Sequence, residues 1–472
     1  MKSQKNPEST GRGVIMNAKD RNARTRFLGR IGTVALAVAT IQFAASCDTS
    51  ITNPGGAQDE FLDSLSAHQA LVTGTRQSLS NAMDNIIYWS GAMVFEINPA
   101  GSTDSYGIQV YIQAGYFRED ISGDWDEIQE ARWTAENAVD RFRRVLPEIP
   151  DAPAFGNWAP AGEALVWGGF ANRVLGENFC QVTFNGSGLY PHTAAFQRAD
   201  SLYRDAIPIL TATGEDEYLT AAHAGRAQVL LLLARYGLAS YSDAAAQAAM
   251  VPDDFVWTIP NSGQELAQYN YIYWANANEP YRAHTVWGTY WENNPDPRTP
   301  YRIATDTTGD AGVEKFGGRV PWYPEGKNTS VDDDQNVASG WEMRLIRAEA
   351  ALANNDLVEA AAQMNVRRAD VGLPDLGPFA TQTEGYTALK TERAAELWLE
   401  ARRMGDIRSW IDNNIPGDYI DGNYRDGNQD NQYPNKVEDL STRDRAYWVG
   451  RNEVETNPNV TIAQLASCSP GG

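Results

Sequence analysis

The 472-residue sequence predicts a mostly α fold of tetratricopeptide-like helix hairpins, carrying one long, loop-rich and aromatic-rich insertion suited to holding a ligand. Three observations lead there. Apolar residues recur three and four apart along most of the chain, the spacing that lines one face of a helix, and strict alternation is scarce. Two stretches of about thirty residues read as helix, turn, helix, the period of tetratricopeptide-like units. Residues 251–335 break both patterns, being rich in Pro, Gly, Asn and aromatics, with eleven aromatics between 255 and 301.

The elements follow in order. Phe61, Leu65, His68/Gln69 and Val72 mark a first helix, and Trp125 to Leu146 a second, ended by Pro147, which cannot donate to the next turn. Ala161 to Gly176 and Phe196 to Leu210 give two more. Residues 220–249 read as a helix, a Gly-containing turn and an Ala-rich helix. Residues 338–368 repeat that scheme with Asn354-Asn355-Asp356 at the turn, and small residues such as Ala224, Ala227, Ala348 and Ala351 let paired helices approach closely. Ordinary antiparallel packing is the plainer reading of both hairpins. The insertion at 251–335 and a second irregular block at 412–447 are where binding is expected, since long ordered loops on a rigid scaffold carry function more often than packing.

Composition narrows the chemistry. The chain has 61 acids against 39 Lys plus Arg, a net charge of -22, which disfavours nucleic acid because a phosphate backbone is held by clustered cations. Residues 1–46 run the other way, with 8 Lys plus Arg and 2 acids, leaving 31 against 59 and a net -28 for residues 47–472. That field argues against anionic glycans. The basic stretch through Arg30, the uncharged apolar run Ile31 to Ala45 and the small residues before Cys47 predict an export signal over 1–46, too short to span a bilayer permanently. Met16 is an alternative start. Residues 47–60, polar with Pro and Gly, are expected to be a flexible tether, and 61–472 a single helical domain. Export to an oxidising compartment leaves Cys180 and Cys468 as either a disulfide or two unpaired thiols.

No standard catalytic motif is present, and four His and three Cys leave little material for a metal cluster, so no cofactor is expected. Asp426-Gly427-Asn428-Gln429-Asp430 alternates oxygens as a calcium loop does, but Asn431 stands where the Gly belongs and Val437 where the closing Glu belongs. Asp332-Asp333-Asp334 is weaker still. The stretch 389–411, LKTERAAELWLEARRMGDIRSWI, predicts one amphipathic helix with Leu397, Ala401, Met404, Ile407 and Ile411 inward. Arg393 and Glu396, Glu400 and Arg403, and Arg403 and Asp406 would pair along it.

The run ER..EL..E.RR..DIRSW at 392–410 resembles the near-C-terminal signature of the SusD/RagB family of nutrient-binding outer-membrane lipoproteins. Four features agree in order: Cys47, placed as in a lipoprotein box; Asp296-Pro297-Arg298; the hairpin at 341–374; and the tail from Val449-Gly450-Arg451-Asn452-Glu453 to Asn457-Pro458-Asn459. Ala401 stands where the family commonly has Gly, and the tail lacks the usual Gln-Asn-Pro-Gly-Tyr ending. The resemblance implies a non-enzymatic protein, lipid-anchored through Cys47 on the outer face of the outer membrane. There it would bind an oligosaccharide or peptide and deliver it to a SusC-type TonB-dependent barrel. The family has no fixed ligand motif, so the site residues come from chemistry: flat rings match the apolar faces of sugars. The expected platform is Trp274, Trp287, Tyr290, Trp291, Trp322 and Tyr323, with Trp89 from the N-terminal part, and Asn276, Asn278, Asn293 and Asn294 as polar helpers. Two rival classes share the export signal and helicity: a helical-toroid glycoside hydrolase or lyase, and a tetratricopeptide-type envelope assembly lipoprotein.

Overall fold

The computed structural model describes residues 59–100, 107–118, 123–277, 282–305, 309, 320–421 and 439–465. The expected leader, Cys47 and most of the tether, Asn278, Cys468 and the loop Asp426 to Asp430 lie outside them.

Helix α1 (Leu65–Met93) begins later than its apolar spacing suggests. Phe61 falls in a separate 3-10 turn, Asp59–Asp63, and is 56% exposed. Helix α2 (Gly123–Val145) stops where Pro147 enters a second 3-10 turn. Then α3 (Ala159–Asn178), α4 (Thr193–Thr213), α5 (Asp216–Arg235) and α6 (Tyr241–Ala248) pack each against the next, as hairpins do. Helix α3 is the axis of the fold, with 19 of its 20 residues buried. It can sit so deep because Gly162, Gly169 and Gly176 recur every seven residues and present bare backbone to α4. A Cβ at Gly169 would stand 2.5 Å from the Tyr203 ring, and one at Gly176 2.5 Å from the Phe196 ring.

The chain leaves this layer through β2 (Val256–Ile259), passes through α7 (Tyr271–Ala277) and returns on β4 (Gln335–Ser339), which pairs antiparallel with β2. The pair closes the stem of the aromatic insertion. Inside it, β3 (His284–Thr285) pairs with β1 (Asn98–Pro99), tying the insertion to the end of α1. Helices α8 (Gly340–Ala353) and α9 (Leu357–Asp370) form the expected second hairpin. Its signals are local. Ser339 and Asp356 cap the two helices by accepting the amides of Glu342 and Glu359 at 3.2 and 3.0 Å, and Asn355 takes a left-handed φ of 57° at the turn. Helix α10 (Gln382–Glu396) packs on α8 and α9.

The single helix expected over 389–411 is instead two. Helix α10 ends at Glu396, and α11 runs Arg403–Asp412, with Leu399 and Ala401 at φ 56° and 58° in the bend between them. The charges do not pair as a ladder on a wet face. Arg393 folds across the bend to Asp406, with bonds of 2.8 and 3.0 Å. Glu396 meets Arg367 at 3.0 Å, Glu400 accepts from Lys327 at 2.7 Å, and Arg403 reaches the Val94 carbonyl at 3.3 Å. Competition from tertiary partners outweighs the few tenths of a kcal/mol that pairing at this spacing offers an isolated helix.

These pairs belong to a buried ionic network on α3, α5, α8 and the bend. Arg235 grips Glu349 twice at 2.7 Å and Asp406 once at 2.7 Å. Arg402 joins Glu177 to Glu342, each at 2.8 Å. Arg173 and Gln228 both donate to the Val337 carbonyl, at 2.7 and 3.0 Å, fastening the stem strand to the core. Arg408 donates to the Phe179 and Glu177 carbonyls at 3.0 Å, closing the C-terminal end of α3. Glu396 and Glu400 are likewise buried in ion pairs.

Candidate functional site

A cavity of about 350 Å³ opens where the C-terminal end of α1, residues 109–118, the first turn of α2, the start of α7 and residues 447–448 converge. That volume sits at the small end of ligand pockets, about 300–1,000 Å³. Its walls are largely aromatic: Trp89, Tyr111, Trp125, Tyr271 and Trp448, over Phe117, Phe179 and Tyr447. The rings are held by one another. Trp89 and Tyr271 both meet Tyr88 edge-on, at 4.7 and 5.1 Å, and Trp274 backs Tyr271 at 5.6 Å. Tyr447 stacks on Phe117 at 4.0 Å and on Phe179 at 5.1 Å, while its amide donates to the Asn178 carbonyl at 2.6 Å, so the floor is fixed to the end of α3.

The polar groups on the wall are Asn85, Gln109, Arg118 and Asp124. Arg118 is exposed and lies over the Tyr111 ring at 5.6 Å. Asp124, in the first turn of α2, is 8% exposed, and burial together with the nearby Glu127 pushes its carboxyl up to about 7.

A second cavity, about 430 Å³, is lined by Tyr273, Tyr301, Arg302, Trp322 and Glu325. Trp322 is 7% exposed, donates its indole N–H to Asn276 at 3.0 Å and lies between Arg302 and Arg282 at 4.9 and 5.3 Å. Glu325 is buried, accepts the amides of Lys327 and Asn328 at 2.7 and 3.1 Å, and is pushed by its burial up to about 7.

The residues expected from sequence are therefore dispersed. Trp89 is on the wall of the first cavity and Trp274 just behind it. Trp322 lines the second, and half-buried Tyr323 stacks on Tyr301 beside it at 6.0 Å. Trp287 is half-buried against Ala100, Val320 and Trp322. Tyr290 leans on Trp291, and Trp291, at 3% exposure, lies within the main core and presents no open face. Asn276 is buried on Trp322, whereas Asn293 and Asn294 are exposed, Asn294 donating to the Tyr290 carbonyl at 3.0 Å. Tyr111, Trp125, Tyr271 and Trp448 were not singled out by the sequence. They come from four separate segments, and no local spacing links them.

Two smaller expectations also find a place. Asp332, Asp333 and Asp334 accept from protein groups: Asp332 the Gly263 amide at 2.5 Å, Asp333 Thr329 Oγ1 of its own loop at 2.9 Å, and Asp334 Thr258 Oγ1 at 3.0 Å. Arg298 of Asp296-Pro297-Arg298 is a structural clamp, bonded to Asp296 and Glu392 at 2.8 Å each, which pins the insertion to α10. Cys180 is disulfide-bonded.

Comparison with known proteins places this arrangement. Residues 257–463 match the model of the SusD family. No curated protein matches the chain. Among solved structures, a SusD superfamily protein from Bacteroides thetaiotaomicron VPI-5482 is similar with a TM-score of 0.62 at 14% identity, over 84% of this chain and 99% of that one. A SusD superfamily protein from Bacteroides vulgatus ATCC 8482 gives 0.58 at 13% identity, over 84% and 98%. A SusD-like carbohydrate binding protein from the same Bacteroides vulgatus strain gives 0.53 at 15% identity, over 72% and 82%. These similarities are of fold.

Proposed function

Because residues 257–463 are a SusD-family segment on a SusD-superfamily fold, we propose that this protein binds glycan nutrients at the cell surface and passes them on without chemical change. The observation that carries the reading is the aromatic cleft at Trp89, Tyr111 and Tyr271. Its rings offer apolar area at low entropic cost for the C–H faces of a sugar, and Asn85, Gln109, Arg118 and Asp124 offer partners for hydroxyls. The carbohydrate-binding relative supports the same ligand class. In this reading Cys47 carries the lipid that tethers the chain to the outer membrane, and a SusC-type TonB-dependent barrel receives the cargo. No described helix is long and apolar enough to cross a membrane.

Titration calorimetry of the mature protein against a panel of neutral oligosaccharides tests this, with Trp89→Ala and Tyr271→Ala as variants. Binding in the wild type should fall by about tenfold or more in each variant, as for a buried aromatic anchor, while the melting temperature shifts by only a few degrees. Release of shortened products would support a hydrolase or lyase instead. Binding that survives both substitutions would move the site to the Trp322 cavity. Co-purification of a large barrel with the lipidated protein tests delivery.

A further inference from the structure

The aromatic walls explain affinity for a sugar face but not why an unpaired carboxylate stands among them. Asp124 is the one carboxylate among the described lining residues. At 8% exposure it has no hydrogen bond or ion pair with any described residue. Behind it stand Glu127 and, beyond that, Asp84, coupled electrostatically in the order Asp124, Glu127, Asp84. Glu127 Oε2 and Asp84 Oδ1 are themselves buried without a partner.

The carboxylates of the buried ionic network are each met by a cation. Asp406, Glu349 and Glu177 each hold an Arg at 2.7–2.8 Å. At the cleft the described cation is Arg118, exposed and lying on Tyr111. A buried carboxylate without a cation is costly, and burial has pushed Asp124 and Asp84 upward accordingly. A ring-lined pocket with a carboxylate at its wall is also what receives an ammonium group: the π-faces attract the cation while the carboxylate accepts its protons.

We propose that the cleft selects oligosaccharides bearing a free primary amine, with Asp124 receiving the ammonium group and Glu127 reinforcing the local negative field. The proposal rests on the reading of the cleft as the glycan site and names the class of glycan.

The test is calorimetry at pH 7 and low salt with three tetrasaccharides: β-1,4-linked glucosamine, its fully N-acetylated form, and the glucose equivalent. The glucosamine tetramer should bind at least about tenfold more tightly than the other two, the scale of one hydrogen bond to a charged group. Asp124→Asn, which keeps the shape, should remove that advantage by weakening the glucosamine tetramer at least about tenfold more than the glucose tetramer, and Glu127→Gln should reduce it by a smaller factor. Equal binding of the amine and acetylated forms by the wild type overturns the proposal, as does an advantage that survives Asp124→Asn. If neutral tetramers bind and lose affinity on Trp89→Ala while the amine brings no gain, the glycan site stands and this inference fails. If no tetramer binds but lysine-containing peptides do, both fail.

Discussion

Arg393 and Asp406, thirteen residues apart, form a buried two-point ion pair at 2.8 and 3.0 Å across a chain reversal. Asp406 is shared with Arg235 at 2.7 Å, and the flanking cations hold its carboxyl far below the ordinary range despite its burial. The pair and its bend, with Ala401 and Leu399 in left-handed conformations, are the hinge on which α10 and α11 diverge.

Truncating either partner should be severe. Arg393→Ala leaves Asp406 buried with one cation fewer, and losses of about 3–5 kcal/mol are typical when one side of a buried pair is removed. Chemical denaturation should find Arg393→Ala and Asp406→Ala similarly damaged, and the double variant less damaged than the sum. Full additivity would mean that the pair contributes nothing of its own.

The bend also contains a removable strain. Ala401 sits at φ 58°, where a Cβ costs about 1–2 kcal/mol that glycine avoids. Ala401→Gly should raise stability by about 1 kcal/mol, less the extra freedom glycine gains in the unfolded chain. A melting temperature that drops instead would mean that the packing of the Ala401 methyl, 2% exposed, outweighs the strain.

Asp124 makes a prediction about pH without ligand. Its folded carboxyl titrates near 7 against 3.8 for the free side chain, so between those values the folded state holds a proton that the unfolded state has released. Stability contributed by that proton is complete below about pH 4 and is lost as pH rises through 7. Asp124→Asn should lack this part of the decline, so the variant gains on the wild type by up to a few kcal/mol between pH 4 and 8. Parallel stability curves for the two proteins would contradict it.

Cys180 is disulfide-bonded, and non-reducing peptide mapping should recover it linked to Cys468, the cysteine left under the proposal that Cys47 carries lipid. Closing so long a loop is worth about 3–5 kcal/mol in the chain-entropy account, and Cys468→Ser should lower the melting temperature accordingly. Quantitative alkylation of Cys468 in the unreduced protein would rule the linkage out.

What the sequence disclosed follows from the range of the forces involved. The hairpin of α8 and α9 was legible because its caps and its Asn355 turn lie within a few residues of one another. Gly162, Gly169 and Gly176 carried an unused signal of the same kind, a seven-residue interval that marks where α4 must press close. The bend at 397–402 was not legible, because it exists to bring Arg393 to Asp406 and Arg402 to Glu177, and neither partner can be read from a helical wheel. The cleft was hidden for the same reason. Aromatic density pointed to 255–301, yet Tyr271 is joined there by Trp89, Tyr111, Trp125 and Trp448, which only the folded chain assembles. Trp291 was misleading because a tryptophan's area serves a core as well as it serves a sugar.

The way α3 is finished bears on how this molecule can come into being. Its terminal carbonyls are satisfied by Arg408, its Glu177 by Arg402, and the Met93 carbonyl at the end of α1 by Arg443. The first helices synthesised therefore wait on groups delivered more than two hundred residues later, and closure over that distance is slow and cooperative. The family-matching segment is accordingly no excisable module. Cut free at residue 257, it would lose the partners that Arg408 and Arg443 hold and one of the two carboxylates that Arg402 joins, and the N-terminal half would be left with an unfinished axis. The whole polypeptide must be made before either half is safe from proteases.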